Sequence, residues 1–241
     1  MADFCFFKYR NINKRLLDSL VKSQLYFSLR TQLNDPFDCN VDISRALDQL
    51  LLMKEKDKYD RLKTLREDGL LLQKFETKIS PLGICSFSYI DDETLMWSHY
   101  ANDHKGVCLR YEFPKYFLNR TSEFLGISPV SYEPNSVSDW IYNNIDIYES
   151  DHAYFSTELL KKAITSKAPA WQYEKEVRII RDVNGLYEIP RNSLTQIVFG
   201  LQTSEDDKLL IRSIVEKYYV NVGFGKVVKT EDDFGIKIKE I

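Results

Sequence analysis

The sequence predicts an α+β fold: one domain over 1–241, built on a central mixed or antiparallel sheet with a helical insertion at about 43–79. Three observations predict it. Short runs dense in aromatic and β-branched residues, which favour strands, are interleaved with segments of helical apolar spacing. The 241 residues hold 15 Tyr and 14 Phe against 9 Gly, a balance that favours packed elements over glycine-lined loops. No linker, internal repeat or low-complexity tract divides the chain.

The elements follow in order. Phe4 to Tyr9 reads as a strand. Ile12 to Val21 carries Leu16, Leu17, Leu20 and Val21 at helical spacing, so an amphipathic helix follows. Leu25-Tyr26-Phe27 is a short strand. Ser28 to Asp38 is a loop, because Asn34-Asp35-Pro36 punctuates a turn. Leu50, Leu51, Leu62, Leu65, Leu70 and Leu71 space a charged helical hairpin over 43–79, broken near Asp68-Gly69. Gly83 to Ser88 is a strand, Thr94 to Ala101 a short helix and Gly106 to Phe113 a strand. Pro129 to Tyr132 is another. Helices are expected at Trp140–Tyr148 and Thr157–Ser166. Strands at Glu174–Ile180, Leu194–Phe199 and Phe224–Val228 complete the sheet, with a helix from Asp206 to Tyr218 between the last two.

Composition excludes several classes. No apolar run approaches the roughly 20 residues that span a bilayer. The first residues lack a basic segment followed by an apolar core, so a signal peptide is not expected and a cytoplasmic protein is. Cys5, Cys39, Cys85 and Cys108 form no CxxC pair, which argues for reduced thiols rather than a zinc ribbon or redox motif. The net charge of −3 provides no global attraction to nucleic acid. Lys161, Lys162 and Lys167, or Lys226 with Lys229, could line a local basic groove but read as solvated faces. GxGxxG, GxxxxGK[ST], GxSxG and HExxH are absent, and no third ligand accompanies His99 and His104, so no metal is expected.

The densest chemistry lies in Trp171 to Ile180. A strand there places Glu174, Glu176 and Arg178 on one face, opposite Tyr173, Val177 and Ile179. That face is either a solvated salt-bridge surface or one wall of a polar site. Thr94 to Gly106 is the second dense segment: Met96, Trp97 and Tyr100 would pack a short helix, while His99 and Tyr100 could line a pocket.

Four ordered motifs carry a resemblance: Tyr9-Arg10 after a strand; Tyr26-Phe27-Ser28 leading into Asn34-Asp35-Pro36-Phe37-Asp38; Met96-Trp97-Ser98-His99-Tyr100-Ala101 through Gly106; and Trp171 with Glu174, Glu176 and Arg178. They resemble the bacterial domain-of-unknown-function family twenty-nine seventy-one, some of whose members lie near phage-defence genes. More remotely, Phe7-Lys8-Tyr9-Arg10, the strand ending at Ser28, and Glu176-Val177 followed by Ile189-Pro190 and Ile197-Val198 are similar to ADP-ribosyltransferase toxins. Lys8, Tyr9 or Arg10 stands where that family has histidine.

The remote resemblance implies an ADP-ribosyltransferase-like sheet and an NAD-consuming effector or toxin. It implies a nucleic-acid or protein acceptor and a neutralising antitoxin or defence partner. Glu176 would stabilise the oxocarbenium-like transition state at the nicotinamide ribose. Glu174 would orient a nucleophile or act as base, with His99 beside it. Arg10, next to Tyr9, would hold the pyrophosphate. Tyr26 or Tyr100 would stack on nicotinamide, and Ser28 would bond the ribose or support Glu176. Two other classes compete: a nuclease gathering Asp35, Asp38, Glu174 and Glu176 around Mg²⁺, and a non-catalytic sensor that binds a partner through the Glu-Lys-Glu face.

Overall fold

The computed structural model describes residues 4–53, 56–114, 117, 124–231 and 234–241. In chain order the elements are β1 (Phe4–Arg10), α1 (Lys14–Lys22), β2 (Gln24–Phe27), α2 (Ile43–Leu52), α3 (Lys56–Glu67), α4 (Gly69–Ile79), β3 (Gly83–Ser88), α5 (Thr94–Tyr100), β4 (Val107–Phe113), β5 (Phe124–Pro129), α6 (Ser136–Ser150), α7 (His152–Ile164), β6 (Glu176–Arg181), β7 (Gly185–Glu188), β8 (Leu194–Phe199), α8 (Glu205–Tyr218), β9 (Gly223–Lys229) and β10 (Ile236–Glu240). The fold is α+β. Eight strands form a mixed sheet in the order β10-β9-β8-β4-β1-β3-β6-β5. Neighbours are antiparallel except β8 and β9, which are parallel and joined through α8.

Local chemistry sets the helix ends. The Asn13 side chain accepts from the Leu16 N–H to start α1, and Ser23 ends it in the left-handed region. Asp42, Asp68, Asp151 and Ser204 cap α2, α4, α7 and α8 in the same way. The break expected near Asp68-Gly69 is there, with Asp68 capping α4, but 43–79 is three helices rather than a hairpin because α2 ends at Leu52 and α3 starts at Lys56. These helices do not stand apart from the sheet: Leu47, Leu65, Phe75 and Ile79 share one apolar cluster with Ile84 of β3, Ile180 of β6, and Ile141 and Leu159 of α6 and α7.

Three other expectations change. β2 leaves the central sheet and pairs with β7. The strand expected at Pro129–Tyr132 ends at Pro129, and Ser131 makes an isolated bridge to Ser166. Glu174 lies off the β6 strand: 169–174 is a 3-10 turn, and Lys175 adopts a left-handed φ of 44° before β6 starts at Glu176.

Strand alternation divides the sheet into two faces. One face (Phe6, Leu109, Tyr111, Val177, Ile197 and Phe199) is covered by α1 and α8 through Leu16, Leu20, Ile211 and Val215. The other face carries two separate apolar clusters. The helical layer covers Ile84 and Ile180, and α5 places Met96 and Trp97 over Tyr9, Cys108 and Val198. Between those clusters the registered pairs are Ser88 with Glu176 and Ser86 with Arg178. That polar row is where the site lies.

Candidate functional site

The Trp171–Ile180 segment was expected to present either a solvated charged face or a polar wall. Every residue of β6 is buried, so the solvated alternative is overturned. Arg178, fully buried at 0% exposure, is the anchor. Its guanidinium donates to Asp38 Oδ2 at 2.6 Å, to Glu176 Oε1 and Oε2 at 2.8 and 2.9 Å, and to the Ile164 carbonyl at 2.7 Å. Lys167 is the second cation. Its Nζ lies 2.5 Å from Glu174 Oε2, 3.2 Å from Glu176 Oε2 and 3.5 Å from Asp38 Oδ2. Trp171 covers that ammonium, with the ring centroid 4.9 Å away. Tyr100 closes the network on the cavity side: its hydroxyl donates to Glu174 Oε1 at 2.5 Å and accepts from Asn34 Nδ2 at 2.8 Å.

The two glutamates, bound to one lysine, are driven in opposite directions. Burial raises Glu176, but Arg178 and Lys167 outweigh it and hold the carboxyl at about 2. Burial raises Glu174, and its contacts with Lys167 and Tyr100 do not fully offset that, so its pKa stays above the ordinary value. Burial would lower Lys167, yet Glu176 and Glu174 more than compensate and keep it charged. Burial also raises the Tyr100 hydroxyl, reinforced by its bond to Glu174.

β1 pairs with β4 along its whole length, but among the described residues its register with β3 is the single pair Phe7–Ser88. The opening beyond that pair holds Lys8, whose Nζ donates to the Ser86 carbonyl at 2.7 Å. Burial lowers its pKa, partly offset by Cys85 and Glu176. A cavity of about 220 Å³ lies here, bordered by Lys8, Asn34, Ser86, Tyr100, Glu174 and Glu176. Asp38 and Lys167 border it too, and they also border a second cavity of about 330 Å³ on the side of Phe37, Glu133 and Ser136.

Of the residues expected from sequence, the structure brings Glu174, Glu176 and Tyr100 together. It does not bring the others to them as catalytic partners. Arg10 borders the first cavity, but its register partner is Val107 in the α1/α8 core, and its charge is felt at Tyr111. Alternation therefore sends its side chain to the face opposite Glu176. Tyr9 also borders that cavity but is packed in the core, with its hydroxyl on the Ile90 carbonyl and its ring edge-on to Trp97. Tyr26 is exposed and bonds Gln32, because β2 lies in the small sheet. Ser28 is bridged through its backbone to Ile84, away from the cavity. His99 lies outside the cavity, 2.9 Å from the Tyr173 hydroxyl.

Sequence reasoning missed the roles of Lys8 and Lys167. Lys167 was read as part of a solvated basic face, and it is buried. The Asp38–Arg178 pair spans 140 positions and leaves no spacing signal. Asp38, Glu174 and Glu176 do converge as the nuclease alternative requires, but on Lys167 and Arg178. Among the described residues no group of His, Cys, Asp and Glu is arranged to hold a metal ion, and none of the helices is long and apolar enough to cross a membrane.

Residues 96–179 match the family model described as Protein of unknown function (DUF2971). The matched segment runs from α5 to β6 and includes Tyr100, Lys167, Glu174, Glu176 and Arg178; Lys8 and Asp38 come from outside it. No curated protein and no solved structure matches the chain.

Proposed function

We propose that this chain of the DUF2971 family cleaves the N-glycosidic bond of a nucleotide, with NAD as the first substrate to test, and transfers the ADP-ribosyl group to a nucleic-acid or protein acceptor. The observation that carries the reading is the Glu174–Lys167–Glu176 arrangement beside a cavity. One carboxylate is held ionised and its neighbour is biased toward protonation, a pairing suited to separate electrostatic and proton-transfer roles. In the reaction the C1′–N bond breaks and its electron pair neutralises the departing nicotinamide. Glu176 stabilises the oxocarbenium-like ribose. An acceptor oxygen or nitrogen then bonds C1′ and gives its proton to Glu174, which Tyr100 orients. Lys8 lies on the same face of β1 as Arg10, spends its Nζ on the Ser86 carbonyl and has its charge disfavoured by burial, so neither residue has a role in this proposal. At about 220 Å³ the cavity is below the range of most ligand pockets, so it holds the reacting end of the dinucleotide and leaves the remainder on the surface.

One observation favours a non-catalytic reading. Both Glu176 oxygens are bonded to Arg178 and Lys167, as in a charge network whose role is to join β6 to the 34–38 loop and α7. Nicotinamide release from NAD separates the two. The transfer reading expects release by wild type that falls at least a hundredfold in Glu176→Gln and clearly in Tyr100→Phe, with circular dichroism showing both variants folded. Folded wild type that releases nothing in buffer or in host extract would sink it in favour of the structural network.

A further inference from the structure

A groove of about 460 Å³ lies between α4 and α7, away from the carboxylate site. Its floor is Leu71, Phe75 and Leu160, and its rim carries Leu70, Lys74 and Lys78 at successive turns of α4. Opposite them α7 offers Ala153, Ser156 and Thr157, whose small side chains let another backbone approach. Both hydroxyls are spent on carbonyls of their own helix, His152 and Ala153. Asp68 also borders the groove, but its two oxygens are taken by the Leu71 N–H and the Tyr148 hydroxyl. Lys74 and Lys78 are exposed and have no ion-pair partner among the described residues. The groove is thus apolar at its base and positively charged at its rim, in a chain whose net charge is −3. It fits an acidic amphipathic helix.

The molecule itself carries such a helix. On α8 the exposed stripe is Asp206, Leu209, Leu210, Ser213 and Glu216, with Lys217 exposed at its end and lying over the Tyr218 ring. Leu209 is 65% and Leu210 42% exposed. Asp206 and Glu216 have no ion-pair partner among the described residues, whereas Glu205 is paired with Lys208. α8 buries Ile211 and Val215 on the face of the sheet opposite the one covered by α4 and α7. One chain therefore cannot bring the two surfaces together, and the contact is heterologous. We infer that α8 of one copy seats in the α4/α7 groove of a second copy of this chain, with Leu209 and Leu210 on the apolar floor and Asp206 and Glu216 toward Lys74 and Lys78. Repetition of that contact builds a head-to-tail ring or filament.

Sedimentation velocity on the full chain from about 1 to 100 µM tests this. The expected result is a concentration-dependent rise in average mass. Lys74→Glu/Lys78→Glu and Leu209→Arg should each weaken association at least tenfold. All these positions are exposed, and circular dichroism checks that the variants fold. Mixing Lys74→Glu/Lys78→Glu with a second variant, Asp206→Lys/Glu216→Lys, should restore alternating head-to-tail association that neither variant shows alone. A monomer throughout the range overturns the inference. So does association that none of these substitutions weakens, or an acidic-helix contact that the charge swap fails to rescue.

Discussion

Arg178 shows what a single buried charge demands. Five of its contacts lie within 3 Å, three of them to the carboxylate oxygens of Asp38 and Glu176. Replacing it with methionine leaves both carboxylates buried beside one remaining cation. Arg178→Met should lose about 3–5 kcal/mol in denaturant unfolding, more than any surface arginine. The acid response at this site has a sign that can be worked out. The Glu176 pKa falls from an ordinary 4.5 to about 2. Its contribution is therefore present above about pH 4.5 and is lost as pH drops toward 2; at about 1.4 kcal/mol per unit it is on the order of 3 kcal/mol. Glu174 runs the other way: its raised pKa means that its ionisation costs stability as pH rises past 4.5. The stability gap between wild type and Glu176→Gln should narrow between pH 4.5 and 2 in urea titrations. A gap that stayed constant would mean the carboxylate is not held ionised. The three charges on Trp171–Ile180 were legible as a constraint, because strand alternation alone put Glu176 and Arg178 on one face. Their partners were not legible: Asp38 and Lys167 arrive from a loop and a helix end, and no local rule joins them.

At the scale of elements, the sequence announced those whose apolar spacing was strong and lost those whose spacing was not. α1, β3, α5, β4 and β8 appear within a residue or two of their expected places, because each has a clear apolar period and a cap or turn at its end. β7 and β10 were missed: Gly185–Glu188 and Ile236–Glu240 are short edge segments only partly buried, made strands by their partners, which is distant β2 for β7 and the preceding strand β9 for β10. The loop after α5 is fixed by close approach rather than by pattern. Asn102, Asp103 and His104 all have positive φ, and a Cβ on Gly106 would lie 2.3 Å from the Arg10 carbonyl oxygen. On Gly200 it would lie 2.1 Å from that of His104. Gly106→Ala and Gly200→Ala should each destabilise by about 1–3 kcal/mol, seen as a lower thermal midpoint. An unchanged midpoint would show that the backbone yields there. Asp151 caps α7 through the Tyr154 N–H, so Asp151→Ala should cost about 1 kcal/mol without changing the fold.

For the whole molecule, the placement of the cores decides what is separable. The helices of 43–79 were expected as an insertion, yet they bury Ile84 and Ile180 of the central sheet together with α6 and α7. Replacing 43–79 by a short linker should therefore yield an aggregating or molten chain, not a trimmed protein. Gel filtration and near-ultraviolet circular dichroism would show it, and a monodisperse product with sharp signals would refute it. The two cavities that meet at Asp38 and Lys167 have a related consequence. Of the two shared residues, Lys167 is the cation. Its ammonium neutralises the glutamates of the first cavity, and the same residue borders the second. Shortening it to alanine would change the border of both chambers at once. A guest lodged in either chamber leans on the same residue, and its arrival would be registered in the other.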